Sequence, residues 1–325
     1  MQGKEASEQE TRKCTAGIDV SKNWLDAHVL PASQSLRVAN TRDGIRQLKR
    51  WLLQRQPELV VVEATGKWHR ELCRSLTASQ IAVAVSDPYR VRMFAKAQGI
   101  FAKTDRLDAK VLAMFAAMMA PSCRALAPQA LEAMQELVTA RTSAVAEQIA
   151  LKNQFSAATG TFLKRQLARR IVQLTAHIKA LEHECLKQIN ADEALAGRYA
   201  ILTSIPSFGA VVAMTLIAFL SELGSLTNKQ IGALAGLAPV ADDSGEREGV
   251  RVIWGGRGQV RRTLYLAALS AVRYNNDMRA FHHRLAANGK SPKAILIAVA
   301  RKLVLLANTL LAQNRTWQPK APQNA

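Results

Sequence analysis

The run Leu59-Val60-Val61-Val62 is apolar at every position and stops abruptly at Glu63. A strand without polar alternation must be covered on both faces, so this segment predicts the buried central strand of a sheet flanked by helices. The surrounding segments define the kind of sheet. Upstream, 15–20 reads as a short strand carrying Asp19 near its end, 24–30 alternates apolar positions, and 36–38 adds a third strand, giving an antiparallel meander. A helix over 43–54 follows, with Ile45, Leu48, Trp51 and Leu52 on one side. Downstream the order repeats: a helix over 67–77, a strand over 81–85, and a turn at Asp87-Pro88.

Strands that are first antiparallel and then alternate with helices predict an α/β RNase H-like (RuvC-like) domain. In such a sheet the acids ending two central strands lie side by side under a crossing helix. Asp19 and Glu63 occupy the strand ends. The segment Lys103-Thr104-Asp105-Arg106-Leu107-Asp108-Ala109 supplies the helix, and its two acids, three residues apart, share a helical face. Carboxylates so close repel unless a cation lies between them, either Lys103 and Arg106 or a divalent metal. Asp19, Glu63, Asp105 and Asp108 together can hold two Mg²⁺ ions, or Mn²⁺, since hard oxygen ligands suit a hard cation. Each acid also has a plainer reading: Asp19 as a turn cap, Glu63 as the start of a loop, the helix pair as a complement to the dipole. Asp87, a rival acid at a strand end, reads as a turn residue beside Pro88.

From 128 to 197 turn signals nearly vanish, and Leu163, Leu167, Ile171, Leu174, Ile178, Leu181, Cys185 and Ile189 recur at spacings of four and three. This predicts a coiled-coil seam, with a weaker stripe at Leu131, Met134, Val138, Val145 and Ile149, and a reversal at 156–160. An antiparallel hairpin or dimerising arm results. His177 and His183 read as surface residues.

Beyond it, Ile205-Pro206-Ser207-Phe208-Gly209 and the apolar helix after it resemble half of a helix-hairpin-helix, which offers backbone N–H groups to phosphate. Ser207 and Phe208 stand where such a turn usually begins with glycine, and a plain helix-turn-helix packing unit is the alternative. Further on, Asp243-Ser244-Gly245 lies on an irregular loop where a serine can be an exposed nucleophile. The segment from Gly255 to Tyr265, rich in glycine and arginine, is suited to holding the phosphate it would attack.

Charge narrows the partner. The chain carries a formal net charge of +19 at pH 7, and from Val250 onward thirteen Lys or Arg face one acid, Asp277. A basic quarter of this kind predicts a docking surface for a polyanion, nucleic acid before membrane. Arg257, Arg261, Arg262, Arg273, Lys290, Lys293, Arg301 and Lys302 are the candidate contacts, with Arg261 foremost. An apolar helix over 295–311 is expected in the core, with Arg301 and Lys302 on its polar side. His282 and His283 read as surface residues, with a part in proton transfer as the alternative. The four cysteines have no paired spacing, so neither a zinc site nor a disulfide framework is indicated. No stretch reaches ~18 uninterrupted apolar residues, and a soluble, cytoplasmic protein without a membrane partner is expected.

Taken in order, Gly17-Ile18-Asp19, Glu63-Ala64-Thr65-Gly66, the 103–109 segment, Asp243-Ser244-Gly245, the 255–265 segment and Asn288-Gly289-Lys290 resemble the DEDD insertion-sequence transposases of the IS-one-ten and IS-eleven-eleven types. The resemblance implies a RuvC-like domain, a coiled-coil linker and a C-terminal transposase domain, which the chain's own pattern places over 15–125, 126–198 and 199–315, with a polar tail over 1–14 and a tail over 316–325. It implies that Asp19, Glu63, Asp105 and Asp108 bind Mg²⁺ and that Ser244 forms a covalent link to a DNA 5′ phosphate. It further implies double-stranded DNA as substrate, a structured guide RNA encoded by the element, and dimers joining into a tetramer with composite active sites. Trp254 departs from the lysine that many relatives carry, with Arg257 a substitute for that contact. Two other readings use parts of the same residues. A RuvC-like junction nuclease needs the acids without Ser244, and a non-catalytic basic nucleic-acid-binding protein needs neither.

Overall fold

The structure is a computed structural model that describes residues 14–319 apart from 65, 103–104, 124–127, 242, 244–248 and 250. It divides into two compact units, 1–127 and 128–325.

The first unit begins with the expected meander: β1 (Thr15–Val20), β2 (Trp24–Leu30) and β3 (Gln34–Ala39). Helix α1 (Arg42–Arg55) starts where the Thr41 side chain accepts from the Gly44 N–H, and leads to β4 (Leu59–Glu63). Then come α2 (Arg70–Thr77), β5 (Val83–Ser86), α3 (Pro88–Ala97) and α4 (Asp105–Met119). The strands form one mixed sheet in the order β3-β2-β1-β4-β5, antiparallel through β1 and parallel from β1 to β5.

The apolar run of β4 is covered on both sides, as its composition requires. Val60 and Val62 join Leu48, Leu52, Leu72 and Leu76 in one core layer, whereas Val61 joins Val91, Leu112 and Phe115 in the other. Helix α3 was not expected. Asp87, read from the sequence as a turn residue, caps it instead: its Oδ1 accepts from the N–H groups of Tyr89 and Arg90 at 2.9 and 3.3 Å, with Pro88 in the first turn.

The second unit opens with two long helices, α5 (Gln129–Ala157) and α6 (Thr161–Asn190), which pack on each other across a reversal at 158–160. Cross-links fix their pairing: Arg141 donates to Glu182 at 2.6 Å, Gln148 to Thr175 at 2.7 Å, and Arg170 to Glu147 at 3.1 Å. Only Leu167, Cys185 and Ile189 of the α6 stripe are buried, and Leu163 is exposed. His177 and His183 are exposed, as read from the sequence.

Helices α7 (Glu193–Thr203), α8 (Ala210–Phe219) and α9 (Asn228–Leu234) follow, then a two-stranded ribbon of β6 (Pro239–Val240) and β7 (Val252–Ile253). Helices α10 (Gly258–Tyr274), α11 (Asn276–Ala287) and α12 (Pro292–Ala312) complete the unit. Among the described residues α12 is long and apolar enough to cross a membrane by length and composition. Ile295, Val299, Leu303, Val304 and Leu310 bury its inner face against the neighbouring helices, which places it in the core as expected.

Candidate active site

The acids of the first unit are placed by strand alternation. On β1 the Thr15 hydroxyl donates to the Ala113 carbonyl of α4 at 3.0 Å. Two residues on, a Cβ at Gly17 would stand 2.3 Å from both the Ala109 carbonyl oxygen and the Ala113 nitrogen. Glycine is therefore required for the helix to lie on the strand. Side chains two apart on a strand share a face, so Asp19 points to the same α4 side. Ala113 sits at Thr15 and Ala109 at Gly17, so α4 runs back along β1 and brings its first turn toward Asp19.

Register carries the row across the sheet. Ile18 pairs with Val62 in parallel, which sets Glu63 beside Asp19; Val61 belongs to the α4-side core, so Glu63 shares that face. Glu63 pairs in turn with Ser86 of β5, which is buried. On the other side Asp19 pairs with Asp26 of β2. One face under α4 thus carries Asp26, Asp19, Glu63 and Ser86 on four neighbouring strands, with Asp108 in the first turn of the covering helix.

Asp19, Glu63 and Asp108 are half-buried, whereas Asp26 is only 5% exposed and lies 3.7 Å from the Arg37 guanidinium. Asp26 was missed in the sequence. The signal was available: with Lys22-Asn23 as a two-residue hairpin turn, Ser21 faces Trp24 and the antiparallel partner of Asp19 is Asp26. Next on that face, His28 hydrogen-bonds Ser35 through Nδ1 at 2.8 Å. Burial first, then the nearby Lys110 charge, holds its imidazole below its ordinary pKa.

The side chain of Asp105 lies outside the described residues. Among the described residues no three Asp, Glu, His or Cys side chains close into a group that could hold a metal ion. The chemistry of the donors nevertheless fits a divalent cation. They are carboxylate oxygens, partly open to water and fixed at strand ends, which suits Mg²⁺ or Mn²⁺ rather than a soft metal.

In the second unit Ser244 also lies outside the described residues, but the feet of its loop are described. The ribbon pairs Pro239 with Ile253 and Val240 with Val252, where the sequence suggested irregular chain. Between the strands, Asp243 accepts from the Arg251 guanidinium at 2.6 Å and from the Gly249 N–H at 3.0 Å, and these bonds hold its carboxyl below the usual range.

Two arginines of the glycine-rich segment make hydrogen bonds within the fold. Arg257 donates to both carboxylate oxygens of Glu222 at 2.6 Å and to the Phe219 carbonyl at 2.8 Å. Burial pushes the Glu222 carboxyl up, but the Arg257 bond, a backbone hydrogen bond, the Arg257 charge and the Ser221 hydroxyl together keep it below its ordinary value. Arg261 donates to the Gly255 carbonyl at 2.7 Å. Arg257 is thus engaged by Glu222 and Phe219, and Arg261, foremost among the candidate phosphate contacts, braces the glycine turn. A Cβ at Gly256 would meet the Gly236 nitrogen at 2.3 Å, so these two turns interlock backbone to backbone.

Of the remaining predicted cations, Lys290, Lys293 and Arg301 line one groove together with Arg251. Arg262 and Arg273 are exposed on α10, and Lys302 lies 4.4 Å over the Phe281 ring. His283 is exposed as expected, but His282 is half-buried, with Nδ1 unpartnered.

Two family models cover most of this architecture. Residues 16–162 match a transposase model of the DEDD, IS110 type, and residues 199–283 match the transposase IS116/IS110/IS902 family. The chain belongs to the IS110 family of transposases. It is a DNA transposase or recombinase enzyme. A pilin gene-inverting protein of Moraxella bovis is 26% identical over 330 residues, covering 95% of this chain and 98% of the relative. An IS110 insertion-element protein of Streptomyces coelicolor is 27% identical over 124 residues, 38% of this chain and 31% of the relative. Thermus RuvC, solved with a Holliday junction substrate, matches at a TM-score of 0.25 and 16% identity, over 34% of this chain and 98% of that one.

Proposed function

We propose that this IS110-family enzyme cleaves and rejoins DNA strands by divalent-metal-assisted transesterification, with Ser244 as nucleophile. The observation that carries the reading is the row of Asp19 and Glu63 on adjacent parallel strands under the first turn of α4, which bears Asp105 and Asp108. Sheet order and covering helix are those of a RuvC-like domain, and the donors suit Mg²⁺, two ions by analogy with other phosphoryl-transfer sites.

Bound there, the metal would make the scissile phosphate more electrophilic and stabilise the departing oxygen. The protein's own groups do the rest. The Ser244 hydroxyl attacks phosphorus, forming a phosphoserine bond to the 5′ end and releasing a 3′ hydroxyl. The 3′ hydroxyl of the exchanged strand then attacks that bond and returns the serine hydroxyl. The link conserves the phosphoester, so rejoining needs no nucleotide cofactor. The ion pair of Asp243 with Arg251 anchors the residue next to Ser244 on the ribbon.

The family resemblance extends the proposal to an element-encoded guide RNA that selects donor and target. It also extends it to dimers joining into a tetramer, with acids and serine from different subunits. The half-exposed apolar stripe of α6 supports self-association along the hairpin. Incubating the enzyme with element-end DNA and Mg²⁺ should yield a DNA-linked peptide containing Ser244. Ser244→Ala should abolish it and strand joining together, and Asp19→Asn should lower both by at least about a hundredfold. Normal joining by Ser244→Ala would overturn the serine assignment.

A further inference from the structure

The ribbon, α10 and the α11–α12 elbow enclose a groove of about 760 Å³ in the second unit. Its floor is apolar, formed by Leu237, Ile253, Leu285 and Ile297 with the half-buried Tyr265 ring. Its rim carries Lys290, Lys293 and Arg301, with Arg251, which is paired with Asp243, and no acid is among its described lining residues. Such a volume is in the range of small-ligand sites and exceeds what one side chain would fill. A plain phosphate-binding surface has no use for an apolar floor, and a plain apolar docking site has no use for Lys290, Lys293 and Arg301 around it. A nucleotide needs both, since its base is a flat apolar ring and its phosphate an anion.

We infer that this groove receives one unpaired nucleotide of the DNA strand that passes the serine loop. The base lies on Tyr265 and Ile297, and the flanking phosphates lie against Lys290 and Lys293. A base still paired in a duplex cannot reach the floor, so the groove selects strand that has left the helix. DNA rather than RNA is assigned because of Arg251. This residue lines the groove and also holds Asp243, the neighbour of Ser244, so the mouth of the groove opens at the foot of the loop that would attack the strand. The inference rests on the proposed role of that loop.

The test uses full-length protein and a DNA duplex with a three-nucleotide bulge carrying 2-aminopurine, compared with the fully paired duplex and an RNA bulge. The bulged DNA should bind about tenfold more tightly than the paired duplex, with 2-aminopurine fluorescence quenched on binding. Ala294→Leu, which fills the groove with aliphatic bulk at another of its lining residues, should remove both the preference and the quenching while paired-duplex binding persists. Tyr265→Leu, which keeps the apolar volume but removes the ring, should reduce the preference several-fold. A preference that survives both variants overturns the inference, and equal or stronger quenching by the RNA bulge overturns the assignment to DNA. Covalent adduct formation is read separately on the same substrate. Adduct without bulge preference sinks the groove alone, whereas preference without adduct supports the groove and sinks the serine mechanism alone.

Discussion

The two units build their functional regions by different means. In the first, strand register does the placing: once β1 pairs with β2 and β4, Asp26, Asp19 and Glu63 must stand in a row on one face. In the second, tight turns and long-range ties do it. Arg257 reaches Glu222, Arg251 reaches Asp243, and the Gly256 and Gly236 turns interlock. A register is a repeating pattern, so many weak contacts enforce each position. A tie is a single contact that no repeating pattern backs, so its loss is local but unsupported.

The largest expected effect tests the first mode. Gly17→Ala puts a Cβ 2.3 Å from two backbone atoms of α4, which are not flexible side-chain ends and cannot swing away. The helix must lift, opening the layer that holds Phe115 and Leu112 against Val61. Destabilisation of the first unit by about 3 kcal/mol is expected in urea unfolding of the full chain. A loss below about 1 kcal/mol would mean that α4 does not need its close seat on β1, and would weaken the placement of Asp108.

The second mode is probed at Arg257. Its side chain and that of Glu222 are 34% and 29% exposed, so solvent screening tempers the pair, and Arg257→Met should cost about 1–2 kcal/mol. The pH dependence has a definite sign. Glu222 has a folded pKa below its ordinary 4.5, so its contribution is present above that value and lost as pH falls through the lowered pKa. The gap between wild type and Arg257→Met should therefore be full at neutral pH and close in the acid range. A gap independent of pH would mean that Arg257 stabilises through packing and its bond to the Phe219 carbonyl, not through the carboxylate.

The same contrast explains what the sequence made legible. Period-two alternation located β2, and the continuous apolar run located β4 and showed that it is central, so Asp19 and Glu63 could be placed at strand ends before their neighbours were known. Asp26 escaped because its partner follows only from the hairpin register. Helix α3 escaped because Asp87-Pro88 was read as a turn, although Asp as cap and Pro in the first helical turn is equally a helix start. Ties were less accessible: no local pattern in the chain says that Arg257 meets a glutamate 35 residues upstream. Arginines tied within the fold and arginines free for phosphate look alike in sequence, so the ties of Arg257 and Arg261 were not foreseen.

A smaller effect sharpens the role of turns. Ser207 has φ of 83°, the left-handed region that favours glycine, and its Oγ is buried without a hydrogen-bond partner. The sequence already marked it as standing where glycine usually begins such a turn. Ser207→Gly removes both the backbone strain and the orphan hydroxyl, and should stabilise the second unit by about 1 kcal/mol in thermal unfolding. Destabilisation instead would mean that the hydroxyl has a partner in solution that outweighs the strain.

The smallest effect separates ties from true contacts. Lys293 lines the groove, is exposed and is not among the described ion pairs, so Lys293→Ala should leave the melting temperature within about a degree. Its loss should show in binding alone: if it neutralises one phosphate, the slope of log K against log salt for DNA falls in magnitude by about one. Arg257→Met should behave in the opposite way, with stability reduced and the salt slope kept, because its charge is already answered by Glu222. Measuring both variants on one duplex over a salt series compares the two roles directly. If Arg257→Met lowers the slope and Lys293→Ala does not, the division between structural and contacting cations drawn from these hydrogen bonds is reversed.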